Sequence, residues 1–311
     1  MTSCMRILVA FVLLAALPTL GIAGPDPGSG SAGMRLAPAE GVTGGGAADE
    51  DLPVYLRDRG AGIRTSMFAT YVRPRELLVY TFGEYYLDNN LQYTPSEFGH
   101  AGTLDYEGRY RASEGLVFVS YGITDRVAVE MEAAVISASL RKAPNDVSTL
   151  PAKIEESGLG DVEGQVTWRM ANETARRPEF FGFVEAVIPH ARNKDLIGTS
   201  DWEGKIGTGA TRGFGFGTVS ARISLEYARA SETPWDLGEW GVEYIRQATP
   251  SWRIYSGVEG QALDELALIA EVQRVLTSHA TLKLGTGIGL LSNTTDFAPE
   301  LGIIWSFPTR R

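Results

Sequence analysis

From Glu76 onward apolar and polar residues alternate with a period of two, the side-chain rhythm of a strand whose two faces meet different surroundings. Val127, Val129, Met131, Ala133 and Val135 share one face, with Glu130 and Glu132 on the other. Val162, Val166, Trp168 and Met170 alternate with Asp161, Glu163, Gln165, Thr167 and Arg169. The pattern returns as Val219, Ala221, Ile223, Leu225 and Tyr227 against Ser220, Arg222, Ser224 and Glu226. It returns again as Leu282, Leu284, Ile288 and Leu290 against Thr281, Lys283 and Gly285. Helical spacing is not sustained anywhere in this region. Alternation alone fits a soluble sandwich as well as a membrane barrel.

Strand length and connection rhythm separate the two. The pattern predicts strands near 76–87, 103–121, 126–140, 161–171, 179–190, 201–212, 216–230, 237–247, 252–262, 265–275, 280–291 and 296–307. Many reach roughly 10 to 14 residues, longer than globular strands and sufficient to cross a bilayer at a tilt. Tight connections at Gly122 to Asp125, Gly213 to Gly215, Ala248 to Ser251 and Leu276 to His279 fall on one side, with Ala171 to Pro178 somewhat longer. Longer polar stretches at Asp88 to Gly102, Arg141 to Gly160, Ala191 to Ser200 and Ser231 to Asp236, plus short links near Leu263 and Asn293, fall on the other. Short periplasmic turns and long outer loops are the rule for outer-membrane barrels. The expected fold is therefore all-β: a transmembrane antiparallel up-and-down β-barrel of about twelve strands over 76–307, with both termini periplasmic.

Tryptophan gives an independent check, because it prefers membrane interfaces. Trp168, Trp252 and Trp305 fall at strand ends on the tight-turn side, and Trp202, Trp235 and Trp240 lie at or near the other rim. With Phe307 they form the expected interfacial belt. Leu301, Ile303, Trp305 and Phe307 alternate toward a near-terminal aromatic, which resembles the C-terminal signature of outer-membrane barrels and implies the barrel-assembly machinery as a partner. Pro308 to Arg311 then form a short tail.

The N-terminal region has another character. Arg6, an apolar run from Ile7 to Leu20, and Gly21-Ile22-Ala23 have the order of a secretory signal peptide over 1–23. The run is too short to span a bilayer, and later in the chain no apolar stretch approaches 18 residues, so any insertion uses strands. Cys4, the sole cysteine, lies in the segment to be removed, which leaves the expected mature chain without a disulfide or thiolate chemistry. Residues 24–50 are a Gly/Pro/Ala-rich flexible leader, and 51–75 read as a periplasmic segment or a plug. Removal of Arg6 leaves 27 basic against 38 acidic side chains, a charge near −11 that argues against nucleic-acid binding.

The Tyr121-Gly122-Ile123-Thr124-Asp125-Arg126 turn, the Gly158-Leu159-Gly160-Asp161 strand opening and the Pro189-bearing strand end together resemble one family. It is the outer-membrane porin and transporter family associated with aromatic (phenol-type) degradation pathways, and the likeness covers roughly Glu76 to Phe307. The resemblance implies fold, outer-membrane location and, by association, a solute-transport role.

If the apolar face meets lipid, the opposite face lines the lumen. That face is expected to carry Arg109, Arg111, Glu130, Glu132, Glu163, Arg169, Glu185, Glu203, Lys205, Arg222, Glu226, Glu239, Glu243, Arg253, Glu259, Glu271, Lys283 and Glu300, charged and net acidic. Such a set suits passage of a small polar or aromatic solute; it suits equally a closed barrel whose mixed charges pair across strands and whose loops, Arg141 to Gly160 above all, contact other surfaces. An enzyme is the distant reading. His100, His190 and His279 are the only histidines, no Gly-x-Ser-x-Gly elbow occurs, and only His190 with Asp195 or Asp201 offers an outer-rim protease arrangement. Neither a metal nor a cofactor is expected: Asp88-Asn89-Asn90 lacks ligand spacing, and Gly285-x-Gly287-x-Gly289 lies inside a strand with no helix after it.

Overall fold

The computed structural model describes residues 52–199, 201–229 and 234–309, so the expected signal peptide, leader and last two residues lie outside the described residues. A 3-10 turn at Val54–Leu56 leads into a short hairpin, β1 (Ile63–Arg64) and β2 (Tyr71–Val72). Twelve longer strands follow among the described residues. They are β3 (Glu76–Tyr93), β4 (Tyr106–Gly122), β5 (Val127–Arg141), β6 (Lys153–Ala171), β7 (Glu179–Ile188) and β8 (Glu203–Phe214), then β9 (Gly217–Ala228), β10 (Trp235–Thr249), β11 (Trp252–Gln261), β12 (Ala267–Thr277), β13 (Ala280–Gly289) and β14 (Phe297–Pro308). Each pairs antiparallel with its sequence neighbours, and β14 pairs with β3 to close the barrel. Closure leaves no edge strand, the condition that lets a sheet sit in hydrocarbon without unpaired backbone. Glu76 opposes Pro308, so the first and last barrel strands begin and end at the tight-turn rim.

Alternation becomes two surfaces. Val117, Met131, Val135, Val184, Ile206, Leu225, Val242, Leu284 and Leu301 point outward and are exposed. An apolar band running right round a molecule exceeds what a soluble surface carries, and it suits lipid. Trp168, Trp252, Trp305 and Phe307 flank the tight turns on this face; Trp202, Trp235 and Trp240 flank the longer connections, with the Trp240 indole donating to the Ala262 carbonyl at 2.8 Å.

β10 gains two residues at each end over the span the pattern predicts, and two strands, β3 and β6, run further beyond theirs. β3 runs through Asp88-Asn89-Asn90 to Tyr93, with a register shift between Asp88 and Leu91 where the Asp88 carboxylate accepts the Asn90 N–H at 2.9 Å. Turn chemistry there makes a bulge, not a loop. β6 begins at Lys153 rather than 161, because its first turn of pairing carries Lys153, Glu155 and Ser157 outward, where an apolar face was sought.

One part of the wall reverses the expected polarity. Inward-facing Tyr80, Phe82, Leu116, Phe118 and Ala134 form a buried apolar cluster with Met67 of the hairpin loop. Because Leu116 and Phe118 face inward, the same phase puts Gly108, Tyr110 and Ala112 inside and turns Arg109 and Arg111 out. Both arginines are exposed on the outer face and do not line the lumen, a correction to the reading from sequence. The apolar-out rule fails where the interior is itself packed against chain.

Candidate functional site: the lumen

Residues 52–75 lie inside the barrel at the tight-turn end, held by buried ion pairs. The Arg59 guanidinium donates to Glu173 at 2.9 Å and Glu179 at 3.1 Å, with all three side chains at most 3% exposed. Arg64 makes a two-pronged ion pair with Glu243, also donates to the Ser220 hydroxyl at 3.4 Å, and lies 5.7 Å from the Phe181 ring. Glu130 accepts from the Ser66 N–H and hydroxyl at 2.7 Å each. Arg169 donates to the carbonyls of Asp125 (2.9 Å), Ala61 (3.1 Å) and Gly62. Lys283 pairs with Glu271 at 2.9 Å, donates to the Phe68 carbonyl at 3.3 Å and stands 4.6 Å from the Tyr80 ring. The Phe68 ring meets Tyr255 at 5.4 Å, beneath the hairpin tip, where Ala69 adopts a left-handed φ of 51°.

The wall is shaped for this segment. A Cβ on Gly122 would fall 2.0 Å from the Arg73 carbonyl oxygen, and one on Gly213 would fall 1.9 Å from that of Tyr55. Only glycine admits backbone so close. Both lie at tight turns, which is why sequence reading assigns them to turn geometry alone.

Above the hairpin the lumen has two unlike walls. The β3–β5 wall is the apolar and aromatic cluster already described, continued by Tyr86, Tyr110 and Ile136. The opposite wall is charged: Lys205 bridges Glu185 at 3.0 Å and Glu239 at 2.6 Å, and Arg222 stands 3.4 Å from Glu239 and 3.6 Å from Glu259. Glu132 opposes Glu163 in register, and Glu84 sits between Glu300 and Glu114 on neighbouring strands. Like charges set directly opposite one another are unfavourable in a sheet, so this acidic zone is not explained by packing. A cavity of about 170 Å³ lies between the walls, lined by Met67, Phe68, Phe118, Glu130, Glu132, Glu163, Glu185, Arg222 and Glu239. Burial pattern and partners thus turn Glu130, Glu132, Glu163, Arg169, Glu185, Glu203, Lys205, Arg222, Glu226, Glu239, Glu243, Arg253, Glu259, Glu271, Lys283 and Glu300 inward. The sequence reading missed Glu84 and Glu114, which follow from the true phase of β3 and β4. It also missed Glu173 and Glu179, acids at a turn whose partner Arg59 is over a hundred residues away.

At the opposite end the β7–β8 connection folds into the mouth. Asp161 accepts from the His190, Ala191 and Thr199 N–H groups at 2.8, 2.9 and 2.6 Å and from the Thr199 hydroxyl at 2.7 Å. Ala191 and Ile197 pack on inward Ala112 and Ala138. The carboxylate beside His190 is therefore Asp161, bonded to backbone; Asp201 pairs with Arg229 at 3.5 Å and the Asp195 N–H is capped by Glu156 at 3.1 Å. This is a loop anchor, not the His190–Asp195 or His190–Asp201 arrangement considered from sequence. His100 lies 3.4 Å from Thr149, and His279 3.0 Å from the Ser306 carbonyl, each at a separate place on the rims.

No protein-family profile and no curated protein matches this chain. Among solved structures it is similar to an outer-membrane channel from Pseudomonas putida F1, with 13% identity, TM-score 0.56, and coverage of 76% of this chain and 97% of that one. The fold is that of an outer-membrane β-barrel. Further matches are the toluene transporter TbuX of Ralstonia pickettii (8% identity, TM-score 0.40, 75% and 88% covered) and the translocator domain of the Neisseria meningitidis autotransporter NalP (11% identity, TM-score 0.37, 75% and 88% covered).

Proposed function

We propose that this barrel conducts small solutes across an outer membrane, with the tight turns and both termini on the periplasmic side and residues 52–75 acting as a removable plug. The observation that carries the reading is the segment inside the lumen. It belongs to no wall strand, is held by charged anchors, and lies in the lumen that the twelve strands enclose. A lumen with one apolar-aromatic wall and one charged wall suits an amphipathic solute, an aromatic compound bearing a polar group. The ring can slide along Tyr80, Phe82, Leu116 and Phe118 while Lys205 or Arg222 meets the polar end. The acids opposite favour cations among simple ions. Partners are then the outer-membrane lipid around the belt and the assembly machinery at the C-terminal strand.

The test is conductance. Purified protein in planar bilayers is expected to show rare openings, and the same protein lacking residues 52–75 frequent or permanent ones, with liposomes swelling in small aromatic solutes. A deletion variant that folds, migrates heat-modifiably on gels and stays non-conducting overturns the proposal. A second reading, a closed structural barrel, is favoured by the number of buried ion pairs holding the segment, and that same non-conducting result would establish it.

A further inference from the structure

The outward turn of Arg109 and Arg111 removes them from the lumen and places them in an arrangement that the channel reading does not use. Arg109 lies directly opposite Arg141, and Arg141 directly opposite Lys153. Three cationic side chains thus stand in one row across β4, β5 and β6, all exposed on the outer face. Opposed positions are about 5 Å apart, and like charges there repel. Arg111 lies one tier nearer the bilayer, in register with Ser139 and Glu155. Lys153 pairs with Glu155. Among the described residues the Arg109, Arg111 and Arg141 side chains have no hydrogen-bonding or ionic partner. Two of the three charges in the row, Arg109 and Arg141, thus stand opposite one another without an acidic partner, an unfavourable feature of the isolated chain that an anion removes.

The tiers below say which anion. Next comes a row of hydroxyls, Ser113, Ser137 and Ser157, and then the first apolar row, Val135 flanked by Leu159. Arg111 is thus two tiers above hydrocarbon, about 13 Å along the strand and about 10 Å in height at the usual tilt. The Arg109, Arg141 and Lys153 row stands one tier higher, about 15 Å above hydrocarbon. A phospholipid headgroup layer is only about 5–8 Å deep in each leaflet, so a lipid that reaches these cations carries a larger headgroup. Guanidinium forks, a serine row and an aliphatic band in descending order match phosphate, sugar hydroxyl and acyl chain. We propose that the outer face of β4–β6 binds the phosphorylated sugar headgroup of an anionic glycolipid in the leaflet at the long-loop rim. Each arginine takes a phosphate through paired N–H donors, and Lys153 adds a point charge. The inference rests on the proposed orientation only for the choice of leaflet.

The experiment uses the full-length protein in detergent and lipopolysaccharide as the probe, with binding read by surface plasmon resonance. Arg109→Ser/Arg141→Ser is expected to weaken binding at least about tenfold, and Arg109→Lys/Arg141→Lys, which keeps the charge but loses the paired donors, to fall between the serine variant and the native protein. Lipopolysaccharide stripped of its phosphates is expected to bind the native protein as weakly as the serine variant binds the intact lipid. Equal binding of intact and stripped lipid, or an undiminished serine variant, overturns the proposal. So does displacement by millimolar inorganic phosphate, which would make the site one for free anions. Heat-modifiable migration confirms that the serine variant folds, and the lysine variant stands in if it does not. Orientation is read separately, from labelling of Val147→Cys in intact cells by an impermeant maleimide. Labelling only after permeabilisation overturns the leaflet while leaving phosphate binding to be judged by the lipid assay.

Discussion

Arg64→Met is the sharpest perturbation of the plug. The Arg64 and Glu243 side chains are each 4% exposed and paired through both guanidinium nitrogens. Removing the cation leaves the Glu243 carboxylate buried and uncompensated, a cost of about 3–5 kcal/mol. If that cost falls on the docked state, the ratio of open to closed rises by roughly two to three and a half powers of ten. Arg59, Ser66 and Arg169 still hold the segment at other points, so the channel is expected to flicker rather than stay open. Single-channel recording of native, Arg64→Met and plug-deleted proteins measures this directly, with the deletion as the upper limit. Arg64→Met/Glu243→Met supplies the control: two well-packed apolar side chains in place of a buried pair carry no stranded charge, so closure is expected to return. An open probability for Arg64→Met equal to that of the native protein, while the deletion conducts freely, refutes the idea that charged anchors set the gate. A double variant as open as the single one refutes the stranded-charge argument.

Lys205→Met removes the cation between Glu185 and Glu239 and is expected to raise cation selectivity, read as a reversal-potential shift across a potassium chloride gradient; no shift, or one toward anions, contradicts a lumen path along that wall. Gly209→Val puts a side chain where a Cβ already falls 2.3 Å from the Phe181 ring and 2.4 Å from the Ala221 carbonyl oxygen; overpacking of about 1–3 kcal/mol should lower the midpoint of heat modification, and an unchanged midpoint shows that the wall yields. Asp146 gives a pH test outside the membrane. Burial raises its pKa, but hydrogen bonds from Ser148 and Tyr93 and the charge of Lys142 outweigh this and hold it below the ordinary carboxylate value. Its contribution to the β5–β6 loop is then present above the unfolded-state pKa of about 3.9 and lost as pH falls through the depressed one. Protection factors in residues 142–152, corrected for the intrinsic pH dependence of amide exchange, should fall between pH 5 and pH 2, and equal protection at the two pH values speaks against it.

The sequence by itself determined the barrel. Period-two alternation, strand length and the contrast of tight and long connections are local properties, and local pairing of neighbours is all that an up-and-down barrel requires. The two strand ends it misplaced furthest, at Tyr93 and Lys153, are places where many of the residues are polar because the strand has left the apolar band. The tertiary structure alone decided what fills the lumen. Arg59 with Glu173, Arg64 with Glu243 and Ser66 with Glu130 join positions far apart in the chain, and no periodicity marks them. The same contacts explain the errors of phase: Leu116 and Phe118 face inward because Met67 covers them, and that turned Arg109 and Arg111 toward the membrane. Alternation reveals that two faces differ, but which one meets lipid depends on what the other side is packed against.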